Sequence, residues 1–103
     1  MNSREYLDAL RAHLRLPSDY AVAKALNTTR ATVSTYRTGR HTFDDATALR
    51  VAELLGIDPR KVIADMQAQR AKDAKVCAFW QQIASAAAAV VLGVTLGVAP
   101  PEA

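Results

Sequence analysis

Leu7, Leu10 and Leu14 stand at i, i+3 and i+7 among polar neighbours, a spacing that lines one face of a helix. The same rhythm returns along the chain, each time between clear stop and start signals. Pro17 and Ser18 close the first stretch, and Ser18 is placed to cap a second helix over about Asp19–Leu26, with Val22, Ala23 and Leu26 on one side. Asn27 follows where a tight turn needs a left-handed residue. Thr28 or Thr29 caps a third helix running to about Thr38, which Gly39 stops. A fourth begins near Asp44, turns Leu49, Ala52 and Leu55 inward and ends at Gly56. Asp58-Pro59 opens a fifth carrying Val62, Ile63 and Met66, and the run from Gln67 to Lys75 is polar and helix-favouring. No segment alternates as a strand would. The pattern predicts an all-α fold with Leu7, Leu10, Leu14, Val22, Ala23, Leu26, Val33, Tyr36, Leu49, Ala52, Leu55, Ile57, Val62 and Ile63 in its core.

Length and charge sharpen this picture. The 103 residues suffice for one small domain with something attached. All 13 Lys and Arg residues lie at or before Lys75, as do nine of the ten acids, so the net charge of +3 divides into +4 before residue 76 and −1 after it. The predicted division is a domain over 1–70 and a helical linker with an apolar tail over 71–103. A basic domain is compatible with a polyanionic partner. Cys77 is the only cysteine, so no intrachain disulfide forms, and the charged segment after Arg4 is unlike a signal peptide. His13 and His41 are isolated from other ligands, so no metal site is expected, nor any cofactor. Asp44 and Asp45 read as a cap and a first-turn charge rather than catalytic acids. With no phosphate loop, nucleophile elbow or acid pair, an enzyme is not expected.

Ala23, Asn27, Val33 and Tyr36 form the pattern A-x3-N-x5-V-x2-Y. Two short helices joined by a tight turn pack steeply only if the first offers a small residue at the crossing, which Ala23 supplies. Asn27 suits the left-handed corner. Val33 and Tyr36, at i and i+3, point back into the domain, leaving Arg30, Ala31, Ser34, Thr35 and Thr38 outward. Small hydroxyls and a guanidinium on such a face can enter a major groove, which bulky or acidic side chains would obstruct.

The segment DYAVAKALNTTRATVSTYRTGR resembles the lambda-repressor-like helix-turn-helix family, the Cro or Xre type. It has that family's small residue at Ala23, its valine and serine at Val33 and Ser34, an aromatic at Tyr36 and the closing glycine at Gly39. The likeness spans about residues 3–67. It departs in Asn27 for the usual turn glycine and Thr28 for the aliphatic residue after it. The whole string also resembles small phage-related regulators of filamentous prophages. The resemblance implies a five-helix domain whose recognition helix covers Thr29–Thr38. Thr29, Arg30, Ala31, Ser34, Thr35 and Thr38 would then read bases, Arg30 foremost because a guanidinium can bond guanine O6 and N7 together. Ser18, with the amides that open the second helix, would hold a phosphate. Lys24, Arg40 and His41 are further candidates for backbone contact.

Val76 to Pro101 contains no charged residue. As a helix, Val76–Ala99 would be about 36 Å long, against a hydrocarbon core of about 30 Å. Phe79 and Trp80 would mark one interface, with Arg70, Lys72 and Lys75 just outside it. Against this, alanine is nearly neutral for insertion, and Gln81 and Gln82 oppose it. The tail therefore reads as a membrane anchor that leaves the DNA-binding domain in the cytoplasm, as a soluble dimerising helix, or as a frayed or cleaved segment. Ser85, Ala89, Gly93 and Gly97, four residues apart, would let two such helices approach closely. The sequence thus predicts a regulator that binds double-stranded DNA as a homodimer, each copy reading a half-site, with a repressor of phage or prophage origin as the particular form. The alternative is an interaction adaptor, membrane-tethered or soluble, using the same helices for a protein partner or non-specific DNA.

Overall fold

The computed structural model describes the backbone of residues 1–98 and side-chain surroundings as far as residue 88. Among the described residues the chain is all helix: α1 (Ser3–Leu14), α2 (Asp19–Ala25), α3 (Arg30–Arg37), α4 (Asp45–Leu55), α5 (Pro59–Arg70) and α6 (Ala74–Val98).

Helix starts follow from side-chain oxygens that satisfy otherwise unpaired N–H groups. The Asn2 side chain accepts the Glu5 N–H while the Glu5 carboxylate accepts the Asn2 N–H, a capping box. Ser18, Thr29, Asp44 and Asp58 accept from the N–H groups of Ala21, Thr32, Thr47 and Arg60. The ends are equally local. At Asn27, with φ 56°, the Thr28 N–H donates to the Ala23 carbonyl at 2.9 Å and the Asn27 N–H to that of Lys24 at 3.1 Å. This bond pair folds the chain sharply out of α2, and a short polar side chain tolerates the left-handed conformation better than most. One expectation fails here. The helix read as continuing through Gln67–Lys75 breaks at Ala71, which is extended, and Asp73 caps α6 by accepting the Lys75 N–H at 2.7 Å. Asp competes with the helical backbone for these bonds, which makes it a better start than interior.

The core gathers Tyr6, Leu7 and Leu10 from α1, Val22 and Ala23 from α2 with Leu26 at its cap, and Val33 and Tyr36 from α3. Phe43, Ala48, Val51, Ala52, Val62 and Met66 complete it. Phe43, between α3 and α4, meets the Tyr36 ring edge-on at 4.8 Å and lies 6.2 Å from Tyr6. Leu49, expected inside, is 52% exposed. The inward face of α4 is Ala48, Val51 and Ala52, so Ala52 of the expected three is buried and Leu49 points out, its place taken by Ala48 and Val51. Leu14, Leu55, Ile57 and Ile63 lie at the core's margin, partly buried.

Asp65 of α5 is buried beneath α1, where it accepts the Tyr6 hydroxyl and, at 2.8 Å, the Lys61 ammonium; the Met1 amino group lies 3.3 Å away. Lys61 also donates to the Tyr6 oxygen at 3.0 Å. Nearby, buried Ser3 donates to the Tyr36 carbonyl at 2.8 Å and accepts from Gln69. Together these groups tie α5 and the end of α3 to the start of α1.

After the break, α6 folds back alongside α5, with Ala64 and Ala68 buried on one helix and Ala84 and Ala87 on the other. Among the described residues no helix is long and apolar enough to cross a membrane. The span expected over 76–99 reaches past the described residues, and the part within them gives it no support. Gln81 and Gln82 interrupt its apolar run, and one face of the helix lies against its own chain. Of the small-residue row, Ser85 is exposed; the side chains of Ala89, Gly93 and Gly97, and Ala99 as a whole, lie outside the described residues.

Candidate nucleic-acid interface

α3 is a helix of eight residues with two opposed faces. Val33 and Tyr36 are buried, whereas Thr29, Arg30, Ala31, Ser34 and Thr38 are exposed. Thr35, expected among the outward readers, is half-buried, and its hydroxyl donates to the Thr32 carbonyl at 2.6 Å. The Thr38 hydroxyl likewise turns back to Thr35, at 3.2 Å. Thr29 caps the helix, accepting the Thr32 N–H at 3.1 Å and donating to the Thr32 hydroxyl. Among the described residues Arg30 and Ser34 make no side-chain hydrogen bond, so theirs are the polar groups on this face left for a ligand. Ala31 contributes a methyl beside them.

The flanking residues divide by chemistry. Lys24 is exposed on α2, its ammonium 4.7 Å from the centre of the Tyr20 ring, and Tyr20 is itself 53% exposed rather than packed. Arg40 and His41 are exposed just beyond α3. Ser18 is half-buried, and its oxygen already accepts the Ala21 N–H at 3.2 Å. Beside it stands Asp19, an acid on an otherwise basic side of the molecule.

Arg37, the last residue of α3, answers that acid. Its Nη2 and Nε donate to the Asp19 carboxylate at 2.8 and 3.3 Å, and its Nη1 donates to Asp8 of α1 at 2.5 Å. The hydrogen bond to Asp19 raises the guanidinium's pKa further above its ordinary value, with Asp8 adding to the effect, so it stays charged. One side chain therefore joins three helices and fixes the end of α3. It also neutralises the acid that would repel a phosphate. Arg4 adds a bond from its Nε to the Arg37 carbonyl at 3.3 Å. Sequence reading missed Arg37, Asp8, Asp19 and Arg4, because opposite charges 18 and 29 positions apart carry no local signal. Asp19, Arg30, Ala31, Ser34 and Arg37 line one shallow depression.

Arg30, Ala31 and Ser34 share one depression, with Thr29 and Thr38 exposed at the two ends of α3, Lys24 on the preceding helix and Arg40 and His41 following. Ala23, Val33 and Tyr36 are buried behind it, and Asn27 makes the corner. Comparison with known proteins gives no match, whether among family models, curated proteins or solved structures.

Proposed function

We propose that this chain is a sequence-specific DNA-binding regulator of transcription, in which α2, the Asn27 corner and α3 act as a helix-turn-helix and α3 enters the major groove. The observation that carries this reading is the outer face of α3. It is short, free of acids and large apolar groups, and presents Arg30 and Ser34 with unoccupied polar atoms. Arg30 reads guanine through its fork of donors, Ser34 contacts a neighbouring base edge, and the Ala31 methyl suits a thymine methyl. Lys24, Arg40 and His41 hold phosphates on either side, setting the register without reading sequence. Ser18 contributes as the cap that orders the α2 amides. One domain of this size reads a half-site, so a second copy completes the operator. Repression by occupying a promoter is the form that the sequence resemblance favours.

Selection of bound duplexes from a random-sequence pool, followed by footprinting on the enriched site, tests the proposal. Enrichment of a site with two related halves is expected. Arg30→Ala is expected to cost about 1–3 kcal/mol on that site and relax preference at one base pair. Equal loss on every sequence would make Arg30 a phosphate contact, and failure to enrich any site would defeat the reading.

A further inference from the structure

The link between α5 and α6 is helical in composition but not in conformation. From Ala64 to Lys75 the chain holds no glycine, proline or β-branched residue, a run that favours helix throughout. Yet Ala71, the best helix former of all residue types, is extended, with φ −67° and ψ 131°, and only Ala71–Asp73 separate the two helices. Among the described residues the N–H groups of Lys72 and Asp73, both exposed, donate to no protein acceptor. In a continuous helix they would meet the carbonyls of Ala68 and Gln69.

Packing, with the Asp73 cap, therefore holds the break against the link's own preference. α6 packs principally on α5. Ala64, Ala68, Ala84 and Ala87 are buried but stand apart from the main core, as a separate seam of small residues. The surface that fits the α5 side of this seam is thus known, because α6 already covers it. Straightening the link would make one helix of about 60 Å from Pro59 to Val98, whose second half no longer reaches its own α5. The α6 of a second copy does reach it, and every contact of the seam is kept. Such a two-fold pair gains helical hydrogen bonds at both links, and gives up the two Asp73 caps and the proximity of a tethered α6.

We propose that α6 is an exchangeable arm: with the Ala71–Asp73 link straightened, α6 of each copy packs on α5 of the other, and two chains form a domain-swapped dimer. The exchange depends on the link and the alanine seam, and not on what α3 meets.

The test uses the full chain. Held at about 1 millimolar and then separated by size, it should yield a monomer and a dimer that interconvert slowly. Asp73→Ala removes the α6 cap and should raise the dimerisation constant about 25-fold, about fivefold for each of the two links. Lys72→Pro fits the break, because the residue before it is extended and its own N–H is unpaired. Inside a straight helix the same proline costs about a hundredfold per chain, so this variant should keep the helicity of the parent chain and lose the dimer. Ala68 and Cys77 line one depression, which lets Ala68→Cys form a disulfide with Cys77. After oxidation and denaturation without reductant, the dimer fraction should run as a covalent dimer and the monomer fraction as a monomer. A dimer fraction that falls apart into internally bridged monomers pairs side by side and would overturn the proposal. So would a dimer that survives Lys72→Pro, a result that decides the matter even where Ala68→Cys does not fold or oxidise. A chain that stays monomeric at about 1 millimolar, with Asp73 or with Asp73→Ala, would overturn it as well.

Discussion

Replacing Asp65 with alanine tests the polar network at the centre of the fold. The carboxylate is buried and meets the Tyr6 hydroxyl, the Lys61 ammonium and the Met1 amino group. Removing it leaves the Tyr6 hydroxyl without its acceptor and a half-buried cation without its counter-charge. Breaking a buried pair from one side costs about 3–5 kcal/mol. For a domain of this size each kcal/mol moves the melting temperature by about 4–8 °C, so a fall on the order of 20 °C is expected. Tyr6→Phe removes one bond to a charged acceptor and leaves Lys61 in place, so it should cost less, about 1.5–3 kcal/mol. The combination Tyr6→Phe, Asp65→Leu, Lys61→Met should recover most of the loss, because an apolar set of similar volume carries no desolvation cost. Thermal and urea unfolding followed by circular dichroism measure all three. A loss under about 1 kcal/mol for Asp65→Ala, or a triple variant weaker than the single one, would refute the reasoning.

Arg37→Gln should destabilise by about 1 kcal/mol, and double-mutant cycles should show stronger coupling to Asp19 than to the more exposed Asp8; equal coupling would mean that Asp19 is not the principal partner. Phe43→Ala should cost about 3–5 kcal/mol in chemical unfolding, while Leu49→Lys on the exposed side of α4 should change stability by less than about 0.5 kcal/mol. Stability should fall at both pH extremes. Burial and the Asp65 bond raise the pKa of Tyr6, so above about pH 10 the unfolded chain releases that proton first and the folded state loses stability as pH rises. Asp44 is held below its ordinary value by the Thr47 N–H, and Asp58 chiefly by the Arg60 side chain; what they contribute is present above about pH 4 and lost as pH falls through their folded values. Tyr6→Phe should flatten the alkaline decline and leave the acid one unchanged.

The corners of the fold were legible because they are local. Ser18, Asp44, Asp58, Gly39 and Gly56 act through bonds to residues within a few positions, and Asn27 folds the chain at its own backbone. The outer face of α3 was legible too, since Val33 and Tyr36 settle which side turns in. Helix α4 misled because Leu49 outranks Ala48 in hydrophobicity, whereas the crowded centre takes two alanines and a valine. Phe43 lies in a connection, where helical periodicity is silent. The partnerships of Tyr6 with Asp65 and of Arg37 with Asp19 and Asp8 join distant positions through geometry alone. The half-burial of Thr35 was hidden for a related reason: its hydroxyl bonds its own helix, which composition does not reveal.

Under the proposed function, Arg37, held by two carboxylates, would be withheld from the counterion exchange that drives non-specific DNA binding. Lys24 and Arg40 are then the lysine and arginine assigned to phosphates, Arg30 being assigned to a base. Two phosphate neutralisations correspond to a log–log slope of about −1.8 per copy, so a fourfold rise in salt weakens binding about 12-fold. A third free cation would steepen that to about 40-fold. On that reading, tying up one guanidinium would lower the chain's grip on arbitrary DNA. A larger share of the binding free energy would then fall to the proposed base-reading face of α3, which is where a regulator would need it when other sites vastly outnumber its own.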